Sequence, residues 1–176
     1  MTSSNQLKNY LFIKKIHHDP ELIKIPEECG TVLSAHPYKN DYFVLTSKHT
    51  ILRIRGLHDN DPHCKIQEFT LSPYDDFTKI YLKEPYEHVR VEGLDKSFFL
   101  QSNRSLWRVV AIEGDTFHTT KIYSVTPQLK ILNIRFLEDN ITIYLSDYSF
   151  VDITFHSYDF QSYAHIGARI TVGASA

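Results

Sequence analysis

The chain holds ten histidines in 176 residues, so metal binding is the first chemistry to weigh. The densest group is His58-Asp59-Asn60-Asp61-Pro62-His63-Cys64, which gathers imidazole, carboxylate and thiol groups in one loop. Zinc favours imidazole and thiolate ligands, usually in close pairs, and no Cys-x-x-Cys or His-x3-His spacing accompanies the group. The start Asp59-x-Asp61 resembles a calcium loop only briefly: the sixth position is Cys64 instead of glycine and the twelfth is Thr70 instead of glutamate. The segment reads as a solvated loop between strands, and metal binding by His58, His63 and Cys64 is left open. His17-His18-Asp19 before Pro20 reads as a turn. No metal or other cofactor is expected.

Nucleophilic catalysis finds no foothold either. No Gly-x-Ser-x-Gly elbow occurs, and the six glycines form no phosphate-cradling run. The adjacent carboxylates Glu27-Glu28, Asp75-Asp76 and Glu138-Asp139 would point to opposite faces of a strand, which makes them poor acid–base partners. The chain is expected not to be an enzyme.

Binding chemistry is better represented. The alternation in Arg53-Ile54-Arg55 places two guanidinium groups on one strand face. With Arg104, Trp107 and Arg108 they form a set able to stack on and neutralise single-stranded nucleic acid. Tyrosine, tryptophan and arginine also dominate protein-binding hot spots, so the same set serves a protein interface. Tyr74, Tyr81 and Tyr86 populate a long link that also carries Pro73 and Pro85, and long links often carry function. These eight residues are the candidate binding set.

The elements that must position them are strands. The sequence has 11 Tyr and 11 Phe against one Met, with many Ile, Val and Thr, and such residues suit a half-buried pleated surface. The one helical candidate, Pro73–Phe77, is short. The length fits about one domain. Nineteen basic against 21 acidic side chains leave a formal charge of -2, without the strong positive field of a typical nucleic-acid binder. Two cysteines, Cys29 and Cys64, rule out a disulfide-dense scaffold and suit a reducing compartment. No secretory signal or bilayer-length apolar run is seen. An intracellular setting, cytoplasmic or nuclear, without membrane attachment, is expected. Asn103-Arg104-Ser105 and Asn140-Ile141-Thr142 match the glycosylation acceptor pattern, which matters only in a secreted chain.

The strands repeat. Phe43 to Leu57 aligns without a gap on Phe98 to Ile112: Phe43 meets Phe98, Leu45 meets Leu100, Ser47 meets Ser102 and Arg53 meets Arg108. A third copy follows at Thr142 to Ile153, with Ser146 in the place of Ser47. In each copy a polar pair suited to a tight turn (Asn40-Asp41, Asp95-Lys96, Asp139-Asn140) precedes an apolar strand. These strands are 42–46, 97–101 and 141–145; Ser and a short polar turn follow, and the second strands are 50–55, 105–111 and 150–155. Flanking strands at 31–35, 88–92 and 130–136 come before, and 65–71, 119–125 and 158–164 come after. The residues 9–16 add one more strand. Each unit is thus about four antiparallel strands, which divides the chain into an N-terminal extension (1–30) and units at 31–87, 88–129 and 130–176. Three units also suit a β-trefoil.

Four-stranded units of this size and grammar resemble degenerate β-propeller blades of the WD-repeat type, although the Gly-His and Trp-Asp dipeptides of that family are missing. Propellers close with four to eight blades, so the resemblance implies a partial propeller with uncovered edges and faces. Exposed edges pair with other chains. The resemblance therefore implies a non-catalytic protein-interaction module, a subunit or domain of a larger assembly, with protein partners covering its blade faces or edges. The alternative is a closed β-trefoil or barrel that binds a ligand or single-stranded nucleic acid through the Arg/aromatic face.

Overall fold

The computed structural model describes residues 10–13, 21–55, 65–84, 96–138, 140–157 and 166–174. They form an all-β protein. The strands are β1 (Tyr10–Ile13), β2 (Glu21–Lys24), β3 (Val32–Tyr38), β4 (Asp41–Thr46), β5 (Thr50–Arg55), β6 (Lys65–Ser72) and β7 (Phe77–Lys83). They continue as β8 (Ser97–Ser102), β9 (Ser105–Glu113), β10 (Thr116–Ser124), β11 (Ile131–Phe136), β12 (Asn140–Leu145), β13 (Ser149–Ser157) and β14 (Ile166–Ala174). A single 3-10 turn, Glu27–Cys29, is the only helical element among the described residues. The expected helix at 73–77 does not form: the chain there turns at Pro73 and enters β7 at Phe77.

The strands make a two-stranded hairpin, an eight-stranded sheet in the order β3-β4-β5-β6-β10-β9-β8-β7, and a four-stranded sheet in the order β11-β12-β13-β14. Within the large sheet, β3 to β6 and β7 to β10 are antiparallel successions. A short parallel seam joins them, with Thr70, Leu71 and Ser72 of β6 opposite Thr116, Phe117 and His118 of β10. At the other end β7 lies beside β3, where the Ile80 N–H donates to Ser34 Oγ at 3.2 Å. The sheet is therefore nearly closed.

Alternation along the strands explains the layering. In β8, Phe98 and Leu100 point into the large sheet's interior, while Phe99 between them points out. The interior is filled by aromatic rings: Phe43 meets Phe98 edge to face at 4.8 Å, and Phe69 stacks on Phe117 at 4.5 Å. On one outer face, Phe99 and Leu106 pack against Ile131, Ile134, Ile141, Ile143, Val151 and Ile153 of the four-stranded sheet. On the opposite outer face, Val44, Leu52 and Ile54 pack against Leu11, Ile25 and Cys29. The order of layers is hairpin, first succession, second succession, four-stranded sheet.

The repeated serines have structural roles. The Ser47 N–H donates to the Thr31 carbonyl and Ser47 Oγ accepts the Thr31 N–H, both at 2.9 Å. Ser146 and Lys130 repeat this pair at 2.9 and 3.0 Å. Ser102 differs. Its hydroxyl accepts the Ser105 N–H at 3.0 Å and holds its own turn. Two of the following turns also match, since His49 and Tyr148 both adopt positive φ, 60° and 66°.

Strand β7 lies before the boundary drawn at residue 87 and pairs with β8, so the second succession starts at Phe77. The expected strands at 88–92 and 158–164 lie outside the described residues, as do His17, His18, His58, His63 and Cys64. Strand β13 pairs with β14, at Ile166–Ala174.

Candidate functional site

The candidate binding residues do not converge. Arg53 and Arg55 share a strand side, as their spacing requires, but both turn to Asp41. Arg53 Nε and Nη2 each lie 2.9 Å from Asp41 Oδ2, and Arg55 Nε lies 3.7 Å away. Arg53 also stacks against the rings of Tyr38 and Phe43, at 5.7 and 5.5 Å. Its charge is spent within the protein. Trp107 is buried inside the large sheet, edge-on to Phe77 at 5.7 Å, with Lys121 Nζ over its ring at 5.1 Å.

Arg108 follows Trp107 and so points to the opposite face, where it too is buried. Burial pushes its guanidinium below the usual arginine range. Arg104 is exposed in the β8–β9 turn, and its carbonyl accepts the Val125 N–H at 2.9 Å. Tyr74 is exposed and stacks on His49 at 5.0 Å, while its neighbour Asp75 accepts from Ser102 of the β8–β9 turn at 3.3 Å. Tyr86 lies outside the described residues.

Tyr81 is the exception, because it lines a cleft. Its ring is half-buried, its hydroxyl donates to Gln101 Oε1 at 2.7 Å, and burial pushes its pKa up. The cleft runs between β7 and β11, lined by Tyr81 and Lys83 on one side and Leu132, Asn133, Ile134, Arg135, Phe136 and Tyr144 on the other. Phe136 roofs one wall, 5.0 Å from Tyr81 and 5.1 Å from Phe99, with Lys83 Nζ 5.5 Å from its ring centre. Leu132 is 55% exposed.

Sequence reading missed Lys83, Arg135, Phe136 and Tyr144 as a group. The alternation of Ile131-Leu-Asn-Ile-Arg-Phe136 marks a strand with one polar face, but nothing in the sequence shows that β7 lies beside it.

The lining groups are two cations, aromatic rings, an amide and apolar side chains. They can hold a ligand by charge, stacking and hydrogen bonding, and they include no carboxylate, thiol or imidazole. Among the described residues no group of three or more His, Cys, Asp or Glu side chains is placed to hold a metal ion. No helix among them is long and apolar enough to cross a membrane. No protein-family model matches the sequence, and none of the curated proteins searched matches it.

Proposed function

We propose that the chain is a non-catalytic protein-interaction module, an open arc of propeller-like blades that serves as a subunit or domain of a larger intracellular assembly. The blades are β3–β6, β7–β10 and β11–β14, with the N-terminal hairpin as part of a preceding layer. The supporting observation is the manner of stacking. Consecutive four-stranded successions meet face to face across separate apolar layers, and the first strands of the first two, β3 and β7, lie side by side. That is how blades surround an axis, and three of them span only part of the four to eight that closure takes. Strand β11 also keeps a free edge in its sheet, and free edges invite a partner strand. The exposed Tyr74 and Arg104 are part of the surface offered to partners, and a free, buried Cys29 fits a reducing compartment.

The near closure of the eight-stranded sheet favours a second reading, a closed barrel with a ligand or single-stranded nucleic acid on its outside. Its interior is packed with side chains, which leaves only the surface for a ligand. The partition into eight and four strands treats the three copies unequally, which a trefoil would not.

The mass of the purified chain in solution, with its thermal melt, separates the readings. The open arc is expected to self-associate, or to be stabilised by a second polypeptide. A monodisperse monomer with a cooperative melt that no added polypeptide raises would favour the closed barrel.

A further inference from the structure

The strands that open the three successions, β3, β7 and β11, contain no aspartate or glutamate, while β7 carries Lys79 and Lys83 and β11 carries Arg135. This stands out in a chain whose acidic residues outnumber its basic ones. Glu84, just beyond β7, is engaged by Lys96. Lys83 and Arg135 both line the β7–β11 cleft, and Arg135 is exposed.

The backbone of β11 adds a second observation. β11 pairs with β12 on one side only. The Ile134 N–H turns away from β12 and donates to the Asn133 side-chain oxygen at 2.9 Å. In an antiparallel strand alternate residues aim both backbone groups outward, so Ile134 and Phe136 present the free edge. The Asn133 side-chain oxygen holds the Ile134 N–H and the Asn103 carbonyl takes the Ile131 N–H at 2.8 Å, so an added strand meets this edge at the outward carbonyls and at Phe136.

We infer that the β7–β11 cleft takes an extended acidic peptide, which adds as a strand to the free edge of β11. Successive residues of the peptide fall on opposite faces, as they do in β11, so two adjacent carboxylates serve the two cations: one meets Lys83 on the face of Phe136, and the next meets Arg135 on the face of Tyr144, with flanking apolar side chains on Leu132, Phe136 and Tyr144. Strand addition draws affinity from main-chain hydrogen bonds and specificity from alternate side chains. The inference rests on the open-arc reading for its partner, since it names the chemistry of the segment that such a partner supplies.

The test is fluorescence polarisation with a labelled octapeptide that carries two adjacent glutamates among valines, compared with the same peptide carrying two lysines, at low salt because exposed charges are screened. The expected result is saturable binding, at least about tenfold tighter than for the lysine peptide, with the preference reversed in the Lys83→Glu, Arg135→Glu double variant. Alternate N-methylation of the peptide abolishes binding in one register and spares it in the other, because a single edge receives it. Thermal melts of the variant match the parent, which separates lost binding from lost fold.

Equal binding of both peptides, or a charge reversal without effect, overturns the inference. Indifference to both N-methylation patterns overturns strand addition. Binding of an oligothymidylate with no binding of the acidic peptide assigns the cleft to nucleic acid and overturns it as well, and so does occupation of the cleft by a second copy, read as dimerisation abolished by the same double variant. Failure here is distinct from failure of the open arc. A stable monomer that binds the peptide sinks the arc and keeps the cleft; a self-associating chain that ignores the peptide does the reverse.

Discussion

Asp41 shows how a charge pattern legible in sequence can be used up by the fold. One carboxylate oxygen receives both Arg53 and Arg55, and Arg53 is wedged against Tyr38 and Phe43. Removing the carboxylate leaves a partly buried guanidinium without its partner. Asp41→Ala is expected to cost about 1–3 kcal/mol, read from urea unfolding. Arg55→Ala, at a more exposed end of the same group, is expected to cost under about 1 kcal/mol. Tyr81 makes a different residue-scale prediction. Its hydroxyl satisfies the buried Gln101, so Tyr81→Phe is expected to cost about 1 kcal/mol at neutral pH. Burial raises its pKa, so the folded protein holds that proton more tightly than the unfolded chain. The resulting stability is fully present below the ordinary phenol pKa of about 10 and is lost as pH rises through the folded value. Urea melts between about pH 8 and pH 11 should show a shallower alkaline fall for Tyr81→Phe than for the parent, with Tyr123 and the Cys29 thiol, both shifted upward by burial, contributing to the fall that remains.

At the scale of elements, the repeated serines and the glycine of the last strand carry the predictions. Ser47→Ala and Ser146→Ala each remove an acceptor that ties the residue before a first strand to the end of the second. Each is expected to cost about 1 kcal/mol in a thermal melt. Gly173 lies opposite Phe150, whose ring occupies the space a Cβ would need. Gly173→Ala is expected to cost about 1–3 kcal/mol, and most of that cost should vanish in the background of Phe150→Ala, a coupling that a double-mutant cycle reads. Strand existence was largely legible because alternation and repetition are local. The expected strands at 42–46, 50–55, 97–101 and 141–145 match β4, β5, β8 and β12 within a residue at either end. Strand β7 was hidden: Phe77-Thr-Lys-Ile-Tyr-Leu-Lys83 follows a Ser-Pro-Tyr-Asp-Asp run that reads as a turn or short helix, and its pairing with β8 crosses a long connection. The candidate set was poorly legible for the same reason. Trp107 and Arg108 are neighbours in sequence and point into different layers. Tyr81 reaches the cleft only because β7 lies beside β11, a fact of tertiary structure.

At the scale of the whole molecule, the second succession is a shared wall. Phe98 and Phe99 are adjacent residues in separate cores, each essentially without solvent exposure. Phe98→Ala and Phe99→Ala are each expected to cost about 3–5 kcal/mol, and because the two cores share few partners the costs should nearly add. Against a typical total of about 5–15 kcal/mol, the double variant should be unfolded or close to it at room temperature, which circular dichroism would show. The parallel seam between β6 and β10 has a consequence for biosynthesis. Thr70 meets Thr116, a partner 46 positions downstream, and translation delivers roughly 5–20 residues per second. For several seconds the nascent chain holds β6 with a bare margin while its mate is still inside the ribosome. Pausing of the ribosome within that window would prolong the interval in which neighbouring nascent chains can capture β6, so the tempo of codon reading over 72–124 becomes a determinant of yield.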